Sequence, residues 1–330
     1  MRLTPALLGP AVLSLAAIAA AQAPRHRQPT PPPAPPAQQQ GLSGLEDTVN
    51  QLQDTPAAEA PAAAPAPAQA APARPARPRT IVPLSQQAEE EHAAFARAVQ
   101  RGRLLGAIAQ AGQIGTQDML AHVSNPDEAG ITGWIAVPEA NAVTVIFYGP
   151  GANGGPPVSV YRVSIVGGRV TGRQTFLTGT RPPLGPHEAR MAAARAATDA
   201  LDHHPCGGDE FNVFVVPPAA PDAPIDVYQL SPQTARGSFP LGGHFKSTIA
   251  PDGHVVSSSA LAGTCGTLAA PAAAAGQEPR PLSVTDADDP LPTELHVFLS
   301  IWSRHPLVVA AGEPRRMFAV TGEGIAPVRQ

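Results

Sequence analysis

The residue types best suited to chemistry crowd into "HHPCGGDE", residues 203–210. His203, His204 and Cys206 could form a Cys–His nucleophile or hold a soft metal ion, and the nucleophile needs an unpaired sulfur. Cys206 and Cys265 are the only cysteines in the chain. An even count reads as a disulfide in an oxidising compartment, and bridging a loop of about sixty residues stabilises by ~4 kcal/mol in the chain-entropy model. With that bridge formed, the histidines remain as candidates without a thiolate, and a helix end just before them would favour histidine on electrostatic grounds alone. Without it, the stretch reads as a metal or nucleophile site. His244 and His296 complete the candidate set, each as the base of a hydrolase.

The other patterns fail at nameable atoms. "YGPGANGGPP", residues 148–157, places Gly149, Gly151 and Gly154 at G-x-G-x-x-G spacing. A dinucleotide loop must open a helix whose N-terminus holds the pyrophosphate. Here Pro156-Pro157 and the β run "VSVYRVSIV" follow, so the glycines read as a wide hairpin loop. "HEARM" begins like H-E-x-x-H, but Met191 stands where a second histidine would ligate zinc. G-x-S-x-G is absent, and Lys246, the only lysine, follows Gly243 by three residues, so neither a nucleophile elbow nor S-x-x-K chemistry has support. His244 and His254 share one hairpin, whose turn at Pro251-Asp252-Gly253 leaves His244 near Ala260 and roughly 20 Å from His254, too far to share an ion. "TDADDP" gathers Asp286, Asp288 and Asp289 without the glycine and distant glutamate of an EF-hand loop, and reads as solvated. Trp134 and Trp302 fall within β runs and read as core. The sequence therefore supports no cofactor and no metal site.

The elements around these residues divide the chain in three. After Met1-Arg2, "ALLGPAVLSLAAIAAA" is apolar from Ala6 to Ala21, too short for a comfortable membrane span and ending in small residues. Residues 1–21 read as a cleaved signal peptide, which places the chain in the periplasm or outside the cell, with no transmembrane segment in the mature part. Residues 22–83 are nearly all Pro, Ala, Gln and Arg, a composition that cannot offset its chain entropy by burial, and read as a disordered linker. Inside it Leu42, Leu45, Val49 and Leu52 keep helical spacing, either as a docking or self-association element or as transient helix.

Residues 84–330 read as an α+β globular domain of antiparallel sheet with two packing helices. The first helix is capped by Ser85 and carries Ala88, Phe95, Val99 and Leu105 as its apolar stripe to about residue 111. The second, "PHEARMAAARAATDALDHH", opens at Pro186. β runs follow each helix, and "ELHVFLSIW", "PLVVA" and "RMFAV" form a last strand set. The halves 84–180 and 185–330 read as two α-β-β-β-β units plus the C-terminal strand set, either an old duplication or a coincidence of strand-rich patterning, with Gly168 aligned against Gly253 in the hairpins.

A formal net charge of −4 argues against a nucleic-acid partner. The segments "PLGPHEARMAAARAATDAL", "CGGDEFNVFVVPP", "DVYQLSP", "GGHFKSTIAPDGHVV" and "TELHVFLSIW" resemble a family of uncharacterised secreted proteins of alphaproteobacteria. The resemblance covers about residues 185 to 325, implies export and a shared α+β fold, and supplies no catalytic residue. The function expected is a non-catalytic envelope module binding a protein or polymer, with a periplasmic hydrolase acting on an envelope component as the alternative.

Overall fold

The computed structural model describes residues 84–208, 210–270 and 277–329. The signal peptide, the linker and the Leu42–Leu52 stripe lie outside the described residues, as does the side chain of Ser85.

The first helix, α1 (Leu84–His122), runs well past the expected end near residue 111. Gly112 and Gly115 look like helix breakers, yet they extend the buried stripe of Phe95, Ala98, Gly102, Leu105, Ile108 and Met119 at steps of three and four. Ala88, expected on that stripe, is exposed. The glycines are contact points. A Cβ on Gly115 would come within 3.1 Å of Val145, and one on Gly112 would collide with the Trp134 ring.

Four strands follow as an antiparallel meander in chain order: β1 (Gly133–Pro138), β2 (Val143–Gly149), β3 (Val158–Val166) and β4 (Arg169–Thr175). The glycine-rich stretch closes β2 onto β3 through a single 3₁₀ turn at Ala152–Gly154, as a hairpin loop should. The second helix, α2 (Pro186–Ala197), starts where the Gly185 N–H donates to Glu188 Oε2 at 2.9 Å. It stops short of the expected histidines, because turn bonds at Thr198, Asp199 and Leu201 replace the helical ladder and Thr198 Oγ1 donates to the Arg195 carbonyl. A second meander then forms from β5 (Asn212–Val215), β6 (Ile225–Leu230), β8 (His244–Ile249) and β9 (Val255–Ala262). A short ribbon pairs β7 (Ser238–Pro240) with β10 (Thr267–Ala269). Each four-stranded meander thus follows a helix, and Gly168 and Gly253 both take positive φ in the turns before the last strands of the two meanders.

The C-terminal part departs from the expected strand set. "ELHVFLSIW" is a third helix, α3 (Glu294–Ser303), and Trp302 belongs to it. Its apolar residues surround the helix on nearly every side, a pattern that marks deep burial and that periodicity alone does not separate from a strand. The helix crosses between β11 (Leu282–Asp286) and β12 (Leu307–Ala311), which makes that pair parallel. β13 (Arg316–Val320) and β14 (Ile325–Pro327) complete the sheet antiparallel.

One apolar cluster joins the elements. Phe95 and Leu105 of α1, Phe214 of β5, Tyr228 of β6, Phe298 of α3 and Phe318 of β13 all belong to it. α2 covers the opposite face of both meanders through Met191, Ile135, Ile146, Val213 and Val227. α1 and α3 cross in close contact: a Cβ on Gly102 would lie 2.5 Å from Val297 Cβ, and one on Gly106 would lie 3.0 Å from Ile301 Cγ2.

Gly102→Ala is expected to destabilise the chain by about 1–3 kcal/mol through overpacking. Adding Val297→Ala should recover part of that loss through coupling of the two sites. Gly172→Ala, whose Cβ would meet nothing nearer than 3.9 Å, should stay within about 0.5 kcal/mol. Urea unfolding of the three variants checks the ordering.

Candidate functional site

The disulfide expected from sequence is present, with the Cα atoms of Cys206 and Cys265 5.6 Å apart. Neither sulfur is available as a nucleophile or soft-metal ligand. "LGGH", residues 241–244, seats the bridge. Gly243 has φ +66, and a Cβ there would fall 2.6 Å from the Cys206 nitrogen; one on Gly242 would collide with the Thr264 carbonyl. Ser231 Oγ fills the junction, accepting from the Cys206 N–H at 2.7 Å and donating to the Gly242 and Gly243 carbonyls.

His244 belongs to the same knot. Its Nδ1 accepts from the Ser231 N–H at 3.1 Å, and its Nε2 donates to the Pro240 carbonyl at 3.0 Å. Burial holds this imidazole below its ordinary pKa, against the pull of the Pro240 carbonyl. Both ring nitrogens are spent on structure. The ring also stands opposite Ala262 rather than near Ala260, because register shifts at both ends of the β8–β9 pairing displace the simple hairpin count. His296 is buried at the start of α3, where its Nδ1 accepts from the Thr293 N–H at 3.1 Å. Its Nε2 stands 3.6 Å from Asp286 Oδ2, too far for a hydrogen bond. Burial pushes this imidazole down, while Asp286 and Glu294 pull it up. His204 is a surface residue 3.1 Å from Asp202 Oδ1.

His203 is placed differently from the other three. Its ring stacks on Phe245 with centroids 4.0 Å apart and planes 7° from parallel. Nδ1 lies 2.7 Å from Gln229 Oε1, an acceptor only, so Nδ1 carries the proton and Nε2 accepts from Ser258 Oγ at 3.0 Å. Ser258 Oγ also lies 3.0 Å from Ser247 Oγ. Ser258, His203 and Gln229 therefore stand in the order of nucleophile, base and orienting group. Sequence reasoning named only His203. The pairings Gln229–Phe245 and Ser247–Ser258 put the partners on one sheet face, and no local spacing announces that.

On the opposite face of the second meander, a cleft of about 390 Å³ opens between α1 and the start of α3. Lys246, Arg101, Asp289 and Glu294 line it. Glu294 Oε1 accepts from Tyr228 OH at 2.9 Å and from Lys246 Nζ at 3.2 Å. Arg101 and Lys246 also reach Asp226, at 3.2 and 3.6 Å. Burial raises the Glu294 pKa, but Lys246, the carboxylate's own backbone N–H and Tyr228 together bring it below the ordinary value. Asp289 moves the other way, raised by burial and then by Asp286, Asp288 and Glu294. Two carboxyls driven apart can in general divide acid and base roles. Here the Glu294 carboxylate is committed to clamping sheet to helix.

Asp286 Oδ1 accepts from the backbone N–H groups of Asp288 and Asp289, and among the described residues no cluster of His, Cys, Asp or Glu is arranged to hold a metal ion. No described helix is long and apolar enough to cross a membrane. Comparison with family models, with curated proteins and with solved structures finds no match.

Two predictions follow from the knot and the clamp. Replacing both cysteines by alanine should cost about 2–5 kcal/mol, with amide exchange rising first at residues 203–206, 241–244 and 263–266. For pH, the groups held below their ordinary values share one sign, while Asp289, held above its own, works the other way. His244 takes its proton in the unfolded chain before the folded one, so stability should fall as pH drops below about 6.5. Glu294, Glu91 and Asp118 all sit below their ordinary values, adding a steeper loss as pH falls through about 4.5 and below. Urea midpoints against pH should show both phases, with the second shallower in Glu294→Gln. A midpoint that stays level from about pH 7 to 5 would contradict a buried neutral His244.

Proposed function

We propose that the chain is an exported, non-catalytic binding module that takes up an extended, uncharged polypeptide segment of an envelope protein along the free edge of β9. The observation that carries this reading is the chemistry of that edge. Proteins usually guard sheet edges with charge, proline or brevity. β4 carries Arg169 and Arg173, β14 is three residues long and ends at Pro327, and β11 ends at Asp286. β9 is "VVSSSALA", eight residues with no charge and no proline, and most of it is exposed. Val256 stands 56 % exposed on it. The register shifts lie toward the two ends of the β8–β9 pairing and leave the Ser257–Ala260 stretch regular. Such an edge suits strand addition, in which main-chain hydrogen bonds give affinity and alternate side chains give selectivity. The disulfide supports an oxidising compartment outside the cytoplasm.

A second reading, a hydrolase acting on an envelope component, is favoured by the Ser258–His203–Gln229 geometry. It would have Ser258 Oγ attack an ester or amide carbonyl while His203 Nε2 takes the proton. Against it, Ser258 stands on an open strand, and the orienting group is a neutral amide.

Selection from a displayed library of random peptides tests the two together. The binding reading expects peptides of alternating small or apolar residues whose binding is lost, by about tenfold or more, in Ser258→Pro and in Val256→Lys. It also expects a fluorophosphonate probe to leave Ser258 unmodified. A probe adduct on Ser258, abolished in His203→Ala, would establish the hydrolase instead.

A further inference from the structure

A groove of about 530 Å³ runs beside α1, between its His92–Arg103 stretch and the β13–β14 turn. Phe95, Val99 and Ile325 supply its apolar lining, and Arg103, Glu323 and the His92 imidazole its polar one. The walls are fixed. Phe95 packs edge-on against Phe318 with centroids 5.6 Å apart, and Arg316 is tied to Glu91 by two hydrogen bonds. Among the described residues neither His92 nor Arg103 is ion-paired.

The chain supplies an occupant that fits. Between Pro24 and Pro83 one stretch alone carries apolar residues at helical spacing, Leu42, Leu45, Val49 and Leu52. From Gly41 to Asp54 it holds three acids, Glu46, Asp47 and Asp54, and no base, which complements Arg103 on the α1 wall and is opposed by Glu323 on the turn. The residues from Gln53 to Pro83 separate it from α1 and could extend on the order of 95 Å as polyproline II, far beyond the length of the groove.

We propose that Leu42–Leu52 docks in this groove of its own chain as an amphipathic helix, its apolar face on Phe95, Val99 and Ile325. Tethering makes the event intramolecular, so an interaction too weak for a free peptide is filled at the millimolar effective concentration typical of a flexible linker. Docking closes Gln53–Pro83 into a loop and shortens the free N-terminal reach of the domain. The inference is independent of the β9 edge.

Photo-crosslinking of the mature full chain tests it. A benzophenone amino acid replaces Gln100, an exposed residue lining the groove, and equal amounts of light and heavy isotope-labelled chain are mixed at about 1 µM, well below the effective concentration of a tether. The expected product joins residue 100 to the 41–54 peptide within one label, and falls about tenfold or more in Leu45→Asp/Val49→Asp. Both substituted positions lie outside the described residues, so no described core residue is changed. Mixed-label products would assign the groove to a second copy and overturn the proposal. Crosslinks that avoid residues 41–54, or that persist in the double variant, would overturn it as well.

Discussion

The close crossing of α1 and α3 is the constraint on which the rest of the molecule depends. Two glycines one turn apart, Gly102 and Gly106, let α3 bring Val297 and Ile301 almost onto the backbone of α1. At that separation α3 can cap the second meander while lying over β12 and β13, so one apolar cluster reaches from Phe147 in the first sheet to Phe318 in the last. The same approach places the start of α3 over Lys246 and Tyr228, where Glu294 accepts from both. Any side chain at position 102 would push these layers apart, and interiors packed at crystal density do not absorb such a shift cheaply.

The disulfide does a comparable job at the other end of the second meander, in a different currency. It holds the 206 and 265 loops together, and Ser231, Gly242, Gly243 and His244 convert that single covalent link into a bonded knot. His203 lies three residues before Cys206, its ring flat on Phe245 and within reach of Ser258 on the edge strand. Of the groups that looked reactive in the sequence, the two cysteines and His244 are thus bound into the knot, while His203 reaches Ser258 of β9.

Some of this was legible in the residues. The alternation in "AVTVIFYG" and "VSVYRVSIV" marks strands, the Gly168 and Gly253 turns mark hairpins, and a single cysteine pair leaves one disulfide to draw. α3 was not legible, because Leu295, Val297, Phe298, Leu299 and Ile301 satisfy a buried strand as well as a buried helix. The far third of α1 was hidden by Gly112 and Gly115, whose role as contact points exists only once Trp134 and Val145 are beside them. The His203 relay and the Glu294 clamp join residues far apart in sequence, Ser258 to His203 and Glu294 to Tyr228. Strand register brings Ser258 beside Gln229 and the His203 loop, helix packing brings Glu294 to Tyr228, and two bulges in β8–β9 shift His244 by enough to defeat a simple count.

The central claim is that the β9 edge is a working surface and the histidine-lined face beside it a support. Residue-resolved amide exchange, measured on the chain with and without a saturating peptide selected from the displayed library, tests this most directly. The account predicts that the outward-facing amides of Ser257–Ala260 slow on peptide addition while those around His203, Lys246 and Glu294 keep their rates. Unchanged β9 amides, with slowing confined to the cleft at Lys246 and Glu294, would contradict it and move the binding site to the other face of the sheet.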